Sequence, residues 1–177
     1  MTLSARLWER VRQRAAFACE YCGITETDAG GLLTVDHFQP QVRGGADDPT
    51  NLLYCCHRCN LYKADYWPTQ PTDPNLWNPR EETVETHLLP LTNGTLYPIT
   101  PTGTFTLRRL RLNRPALTAH RLFRQSRAEE RRLLERYREV VNLLEQLNRQ
   151  QAALLEEHRA LLEEQRTVLR LLLQTGE

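Results

Sequence analysis

Two Cys-x-x-Cys pairs constrain the first third of this 177-residue chain more than any other feature. Cys19 and Cys22 form the first pair, Cys56 and Cys59 the second, with residues 23–55 between them. Two close pairs far apart in sequence can supply four thiolates to one tetrahedral Zn²⁺. Four thiolates leave no open position, which makes such a zinc structural; its binding energy is folding energy for a segment with little core of its own. Cys55 or His57 could replace a ligand, but only Cys56 keeps the spacing to Cys59, so Cys55 reads as a small buried hydrophobe. Five cysteines in this pattern suit metal in a reducing compartment better than a disulfide framework.

Around these pairs the chain reads as short elements. Ser4 is a candidate N-cap for a helix to Arg14, with Leu7 and Val11 inward and Arg6, Arg10, Arg12 and Arg14 outward. Those arginines make either a solvated face or a nucleic-acid contact. Phe17 to Gly23 has the form of a knuckle, with Gly23 placed for a positive φ. Residues 32–35 (Leu-Leu-Thr-Val) predict a strand, Leu52 to Tyr54 a second apolar patch, and Arg58 to Tyr66 a helix stopped by Pro68. Gly44-Gly45 and Asp47-Asp48-Pro49 mark an irregular loop between them.

Residues 68–103 hold seven prolines, a density that excludes long helices. Leu88-Leu89, Thr95 to Tyr97 and Phe105 to Leu107 predict short strands, with Asn93-Gly94 a hairpin turn. Asn113-Arg-Pro115 predicts a helix start, Asn as cap and Pro in the first turn. After Pro115 there is no proline, and no glycine before Gly176. Ser126 to Glu129 has a capping-box pattern where the helix could restart. Leu133, Val140, Leu147, Leu154, Leu161 and Val168 recur every seven residues, and Tyr137, Leu144, Gln151, His158, Gln165 and Leu172 fill the alternate positions. Six such heptads predict a coiled coil or a helix packed on a partner. His158 reads as a residue of the helix face and not as a ligand.

The formal net charge of +1 hides an asymmetry. Residues 108–132 hold nine arginines against Glu129 and Glu130, while the remaining residues from 133 on are acidic overall. Local basic patches, more than overall charge, attract a polyanion. Lys63 is the only lysine. Arginine bias suits bidentate phosphate contact, and it also follows from codon composition alone. No apolar run is long enough to span a bilayer, and the arginine-rich first 18 residues do not read as a signal peptide, so a soluble cytoplasmic protein is expected.

Between the cysteine pairs stand Asp36-His37, Gly44-Gly45 and Asn51, with Asn60 directly after the last cysteine. A histidine neutral near pH 7 can activate water, and Asp36 and Asn60 offer hard oxygens to a divalent ion. Asn51 can hold His37, or the loop beside it, by a hydrogen bond. Neighbours on a regular strand face opposite ways, so Asp36 and His37 share a site only if the strand ends or bulges there.

Cys19-Glu-Tyr-Cys22-Gly, Val35-Asp36-His37-Phe-Gln-Pro40, Gly44-Gly45, Asn51-Leu-Leu and Cys56-His-Arg-Cys59-Asn60-x-x-Lys63 resemble the zinc-bearing HNH endonuclease family. The resemblance spans roughly residues 12–67. It implies a ββα-metal fold in which a hairpin and a helix surround one catalytic cation while zinc braces them. By position, His37 matches the general base, Asp36 the metal-binding acid before it, Asn51 the central asparagine and Asn60 the final ligand, an H-N-N variant. Residues 75–124 are similar to the segment after this core in one subgroup of small bacterial members. The matching pieces include Asn78-Pro79-Arg80, His87 and Leu110 to Pro115; Thr104 stands where an arginine is expected, and His87 reads as structural.

The expected architecture is therefore α+β. Residues 1–67 form the nuclease core, 68–125 a proline-rich hairpin and basic-helix extension, and 126–177 a helical coiled-coil tail. The expected activity is hydrolysis of DNA phosphodiester bonds with Mg²⁺ or Mn²⁺ beside the structural Zn²⁺. Lys63, Arg108, Arg109, Arg111 and Arg114 are the candidate DNA contacts, and the tail the candidate surface for self-association or a protein partner. The alternative is a zinc-braced nucleic-acid-binding or effector subunit of a larger complex, of antiviral defence or of a mobile element in a prokaryote, with little activity alone.

Overall fold

The computed structural model describes residues 3–174, with side chains to Leu171. The fold is α+β, and the chain divides into two units, Met1–Gln125 and Ser126–Glu177. In the first unit the helices are α1 (Ala5–Arg14), α2 (Glu26–Ala29), α3 (His57–Lys63) and α4 (Pro101–Arg109). The strands are β1 (Thr34–His37), β2 (Leu52–Cys55), β3 (Leu88–Pro90) and β4 (Leu96–Pro98). They make two antiparallel hairpins, β1 with β2 and β3 with β4. The last helix, α5, runs Pro115–Gln174.

α1 begins where the sequence places it, with the Ser4 hydroxyl accepting from the Leu7 amide at 3.3 Å. Its arginines do not all face solvent. Arg12 donates to Glu26 at 2.6 and 2.7 Å, and Arg14 to the carbonyls of Pro49 and Leu52. α2 is a short helix closed by a Thr25–Asp28 capping box, and Gly23 and Gly30 take the positive φ their turns need.

β1 starts at Thr34, two residues later than the apolar run suggests, because register with β2 decides it. Thr34 pairs with Cys55 and His37 with Leu52. Leu52, Leu53 and Tyr54 are completely buried, and each leucine contributes about 1.5–3 kcal/mol of hydrophobic stabilisation. α3 stops at Lys63 and not near Tyr66, since Ala64 turns the backbone to φ 49°.

Phe105 to Leu107 is helical, not a strand. Thr100 caps α4 by accepting from the Gly103 amide, and Pro101 occupies the first turn, where its missing N–H costs nothing. A Cβ at Gly103 would collide with the His87 carbonyl oxygen, so this glycine lets α4 lie against the loop before β3. Asn113 does not cap α5. Its amide accepts from the Leu96 N–H and donates to the Leu96 carbonyl, both at 2.8 Å, pinning β4. α5 also runs through Ser126 without restarting.

In the second unit the heptad residues Leu133, Val140, Leu147, Leu154, Leu161 and Val168 are all exposed. The Leu172 side chain lies outside the described residues. No helix of the described residues is long and apolar enough to cross a membrane.

Candidate active site

The four paired cysteines converge. Their sulfurs lie within 4.8 Å of one another, and Cys22 Sγ is 3.7 Å from Cys56 Sγ. Tetrahedral zinc with bonds near 2.3 Å places its sulfurs about 3.8 Å apart, so the cluster has the size such an ion requires. Local turns build it: the Cys19 amide donates to Ile24, the Gly23 amide to Cys19, and Cys56 caps α3 through its sulfur, which accepts from the Cys59 amide. Hydrogen bonds from Cys22 first, and from the other nearby thiols, pull the Cys19 thiol well below its ordinary pKa. The same neighbours push Cys22 and Cys59 upward, led by Cys19. A proton is thus held among sulfurs that cannot all ionise together without a cation, and these donors fit Zn²⁺. Cys55 is fully buried outside the cluster, packed as a small apolar residue.

β1 carries Asp36 and ends at His37. Asp36 meets α3, where the Lys63 ammonium lies 2.9 Å from Asp36 Oδ2 and also donates to the His37 carbonyl at 2.6 Å. The Asp36–Lys63 contact is a close ion pair without hydrogen-bond alignment, and Asp36 Oδ2 is buried without a hydrogen-bond partner. Asn60 stands on α3, its amide donating to the Thr34 hydroxyl at 3.4 Å. A buried carboxylate oxygen beside an asparagine side chain is a donor set suited to a hard cation such as Mg²⁺ or Mn²⁺. Lys63 competes for the same carboxylate.

His37, the last residue of β1, turns its ring to the loop, where Nε2 lies 2.7 Å from Asp47 Oδ1. Asp47 Oδ1 also accepts from Gln41, and the hydrogen bond with His37 is the main cause that holds the Asp47 pKa below its ordinary value. Asn51 does not touch His37. Its Oδ1 accepts from the Gln39 amide, and its Nδ2 donates to the carbonyls of Gln39 and Ala46, closing residues 39–51 into a loop against the strand end. A Cβ at Gly45 would collide with the Gln39 carbonyl, so only glycine permits that closure.

Asp47 is the residue that sequence reasoning missed. The Gly44-Gly45 turn, which folds an acidic loop back on β1, is the signal that could have found it.

Several expected surface cations are engaged within the protein. Lys63 is 0% exposed, because an acid and a carbonyl on β1 receive its ammonium, so it cannot meet a phosphate. Arg114 Nη2 lies 4.0 Å from both Cys56 Sγ and Cys59 Sγ, where its charge offsets thiolates. Arg109 donates to the Lys63 carbonyl and stacks 4.7 Å above the Tyr66 ring. Arg108 and Arg111 are exposed, with Arg111 over Tyr62.

Residues 19–65 match the family model of the HNH endonuclease. This segment is an HNH endonuclease domain. The match contains all four thiols, Asp36-His37, the loop with Asp47, Asn51 and Asn60. No curated protein and no solved structure matches the chain. HNH domains are generally nucleases, so the domain assigns a nuclease-type, hydrolytic function to this part of the chain, with a four-cysteine cluster compatible with structural zinc.

Proposed function

We propose that the HNH domain hydrolyses phosphodiester bonds of DNA, with His37 as general base. The observation that carries this reading is the 2.7 Å contact between His37 Nε2 and Asp47 Oδ1 at the end of β1. A carboxylate only accepts, so Nε2 donates to Asp47, and in the neutral ring Nδ1 holds the lone pair. His37 Nδ1 then removes a proton from the attacking water, and Asp47 stabilises the imidazolium that forms. Asn51 acts on the loop, keeping Asp47 in place. Asp36 and Asn60 would hold one divalent cation, Mg²⁺ or Mn²⁺, which when bound supplies electrostatic stabilisation of the phosphate and leaving oxygen. Exposed Arg108 and Arg111 provide phosphate contacts that position without reading sequence. The tail pairs through its apolar face with a second copy or another protein.

Plasmid relaxation with Mg²⁺ or Mn²⁺ tests the proposal. The wild type nicks or linearises supercoiled DNA, and His37→Ala abolishes cutting while DNA retention in a gel shift is unchanged. Loss of binding together with cutting would remove His37 from the chemistry.

One observation favours a second reading, a zinc-braced DNA-binding or effector subunit with little activity alone. Lys63 already sits 2.9 Å from the acid that would take the cation. Wild-type protein that binds DNA but cuts none with either metal supports that reading.

A further inference from the structure

A cavity of about 480 Å³ opens beside the end of β1, lined by Phe38, Tyr66, Trp67, Asn75, Asn78 and Glu81 among others. Phe38 is the residue directly after His37, and its ring meets Trp67 edge to face, centroids 5.8 Å apart. The lining also holds side-chain amides and carboxylates and no cation; Asn78 Oδ1 accepts from the Arg80 amide and Glu82 pairs with His87, which leaves Asn75 and Glu81 for a ligand. A second, open cleft shares Tyr66 and Trp67 and, unlike the first, contains cations, Arg43 and Arg109, beside Asp65 and Asp73. Of the acids there, Asp73 is occupied by the amides of Thr69 and Gln70. Arg109 is held by the Lys63 carbonyl and the Tyr66 ring, whereas Arg43 is exposed.

We infer that this pair of recesses is a nucleotide subsite: Arg43 takes a backbone phosphate, and the Phe38–Trp67 cavity takes the unpaired base attached to it. The inference rests on the nuclease reading and names the form of its substrate. Carboxylates and amide carbonyls exclude a phosphate from the aromatic cavity but accept from the exocyclic amino group of adenine or cytosine. A base can reach such a recess only from a bulge, a mismatch or a single strand, since one paired in a duplex must first be unstacked. Arg43 belongs to the loop that carries Asp47, so a phosphate held there lies on the segment that orients His37. A proline-rich peptide also fits aromatic grooves, but it has no use for the arginine cleft next door.

The test is equilibrium binding of full-length, zinc-loaded protein to two labelled duplexes, one fully paired and one with a single bulged cytosine, without added divalent ion. The wild type prefers the bulged duplex by roughly tenfold, the order expected for stacking one base on aromatic side chains. Trp67→Ala removes the preference while leaving affinity for the paired duplex unchanged, and Trp67→Phe retains it. Equal affinity of the wild type for both duplexes overturns the inference, as does an equal loss on both in Trp67→Ala. Displacement of the paired duplex by a polyproline peptide, without any bulge preference, reassigns the cavity to a protein partner. Plasmid cutting with no bulge preference overturns the subsite and leaves the nuclease; a bulge preference with no cutting supports the subsite and removes the nuclease.

Discussion

Leu53 and Leu154 are the same residue in two regions with opposite fates. Leu53 is 0% exposed on β2, and Leu154 is 64% exposed on the helical tail. The first unit buries leucines such as Leu33, Leu52, Leu53 and Leu88 although its strands are three or four residues long, because thiol pairs, the Asn51 and Asn113 clamps and part-buried ion pairs tie distant segments together. The second has the better intrinsic helix and no described element to cover its stripe. One region therefore carries a donor set that fits a stabilising metal, and the other exposes an apolar stripe along its described residues.

The largest expected effect separates the two at once. Removing zinc with a chelator, or Cys59→Ser, withdraws a binding free energy on the order of 10 kcal/mol, comparable to the whole stability of a domain of this size. Near-UV dichroism from Trp8 and Trp77, both packed in the first unit, collapses, while far-UV helicity from the tail persists. Simultaneous loss of both signals would show that the regions are not separable in this way.

A smaller break falls inside the first unit. Lys63→Met leaves the partly buried Asp36 without its cation, and the cost falls below the roughly 3–5 kcal/mol of breaking a fully buried pair, on the order of 2 kcal/mol. Urea denaturation of zinc-loaded protein measures it. A cost near zero would mean that the Asp36–Lys63 pair is not held in solution.

These two sites also show what the sequence revealed and what it hid. The zinc cluster was legible because x-x spacing fixes local geometry whatever surrounds it. Ser4, Gly23, Asn93-Gly94 and Pro115 were legible for the same reason, each being a residue with a strong backbone preference. Lys63 was not, because its position in the last turn of α3 says nothing about the acid and carbonyl waiting on β1. Asp47 was hidden similarly: Asp47 and Asp48 look alike in sequence, yet Asp48 caps Thr50 and only Asp47 reaches His37. α4 was misread because proline density was counted without noticing that Pro101, behind Thr100, starts a helix.

A third effect, smaller again, depends on pH. Arg12 first, then Tyr54, hydrogen-bond to Glu26 and push its pKa from 4.5 down to about 2. A depressed carboxylate contributes stability that is complete above pH 4.5 and lost as pH falls toward 2. The stability gap between wild type and Glu26→Gln therefore narrows over that window and stays constant above it. A gap independent of pH would mean that Arg12 does not bind Glu26 in solution.

The smallest effect sharpens the comparison most. Leu154→Ala on the tail removes apolar surface that is already in water, so in dilute protein its cost stays within about 0.5 kcal/mol, as for surface substitutions generally. Leu53→Ala, by contrast, empties a filled core position and costs about 2–5 kcal/mol. The contrast changes with concentration if the tail pairs with a second copy. Mass action then raises the wild-type melting midpoint as protein is added, and Leu154→Ala flattens that rise, since it removes area that only the dimer buries. Sedimentation velocity on the same samples reads the association directly. A wild-type midpoint that ignores concentration assigns the stripe to a different protein, because Leu154 and Leu161 would otherwise stay in water on every copy.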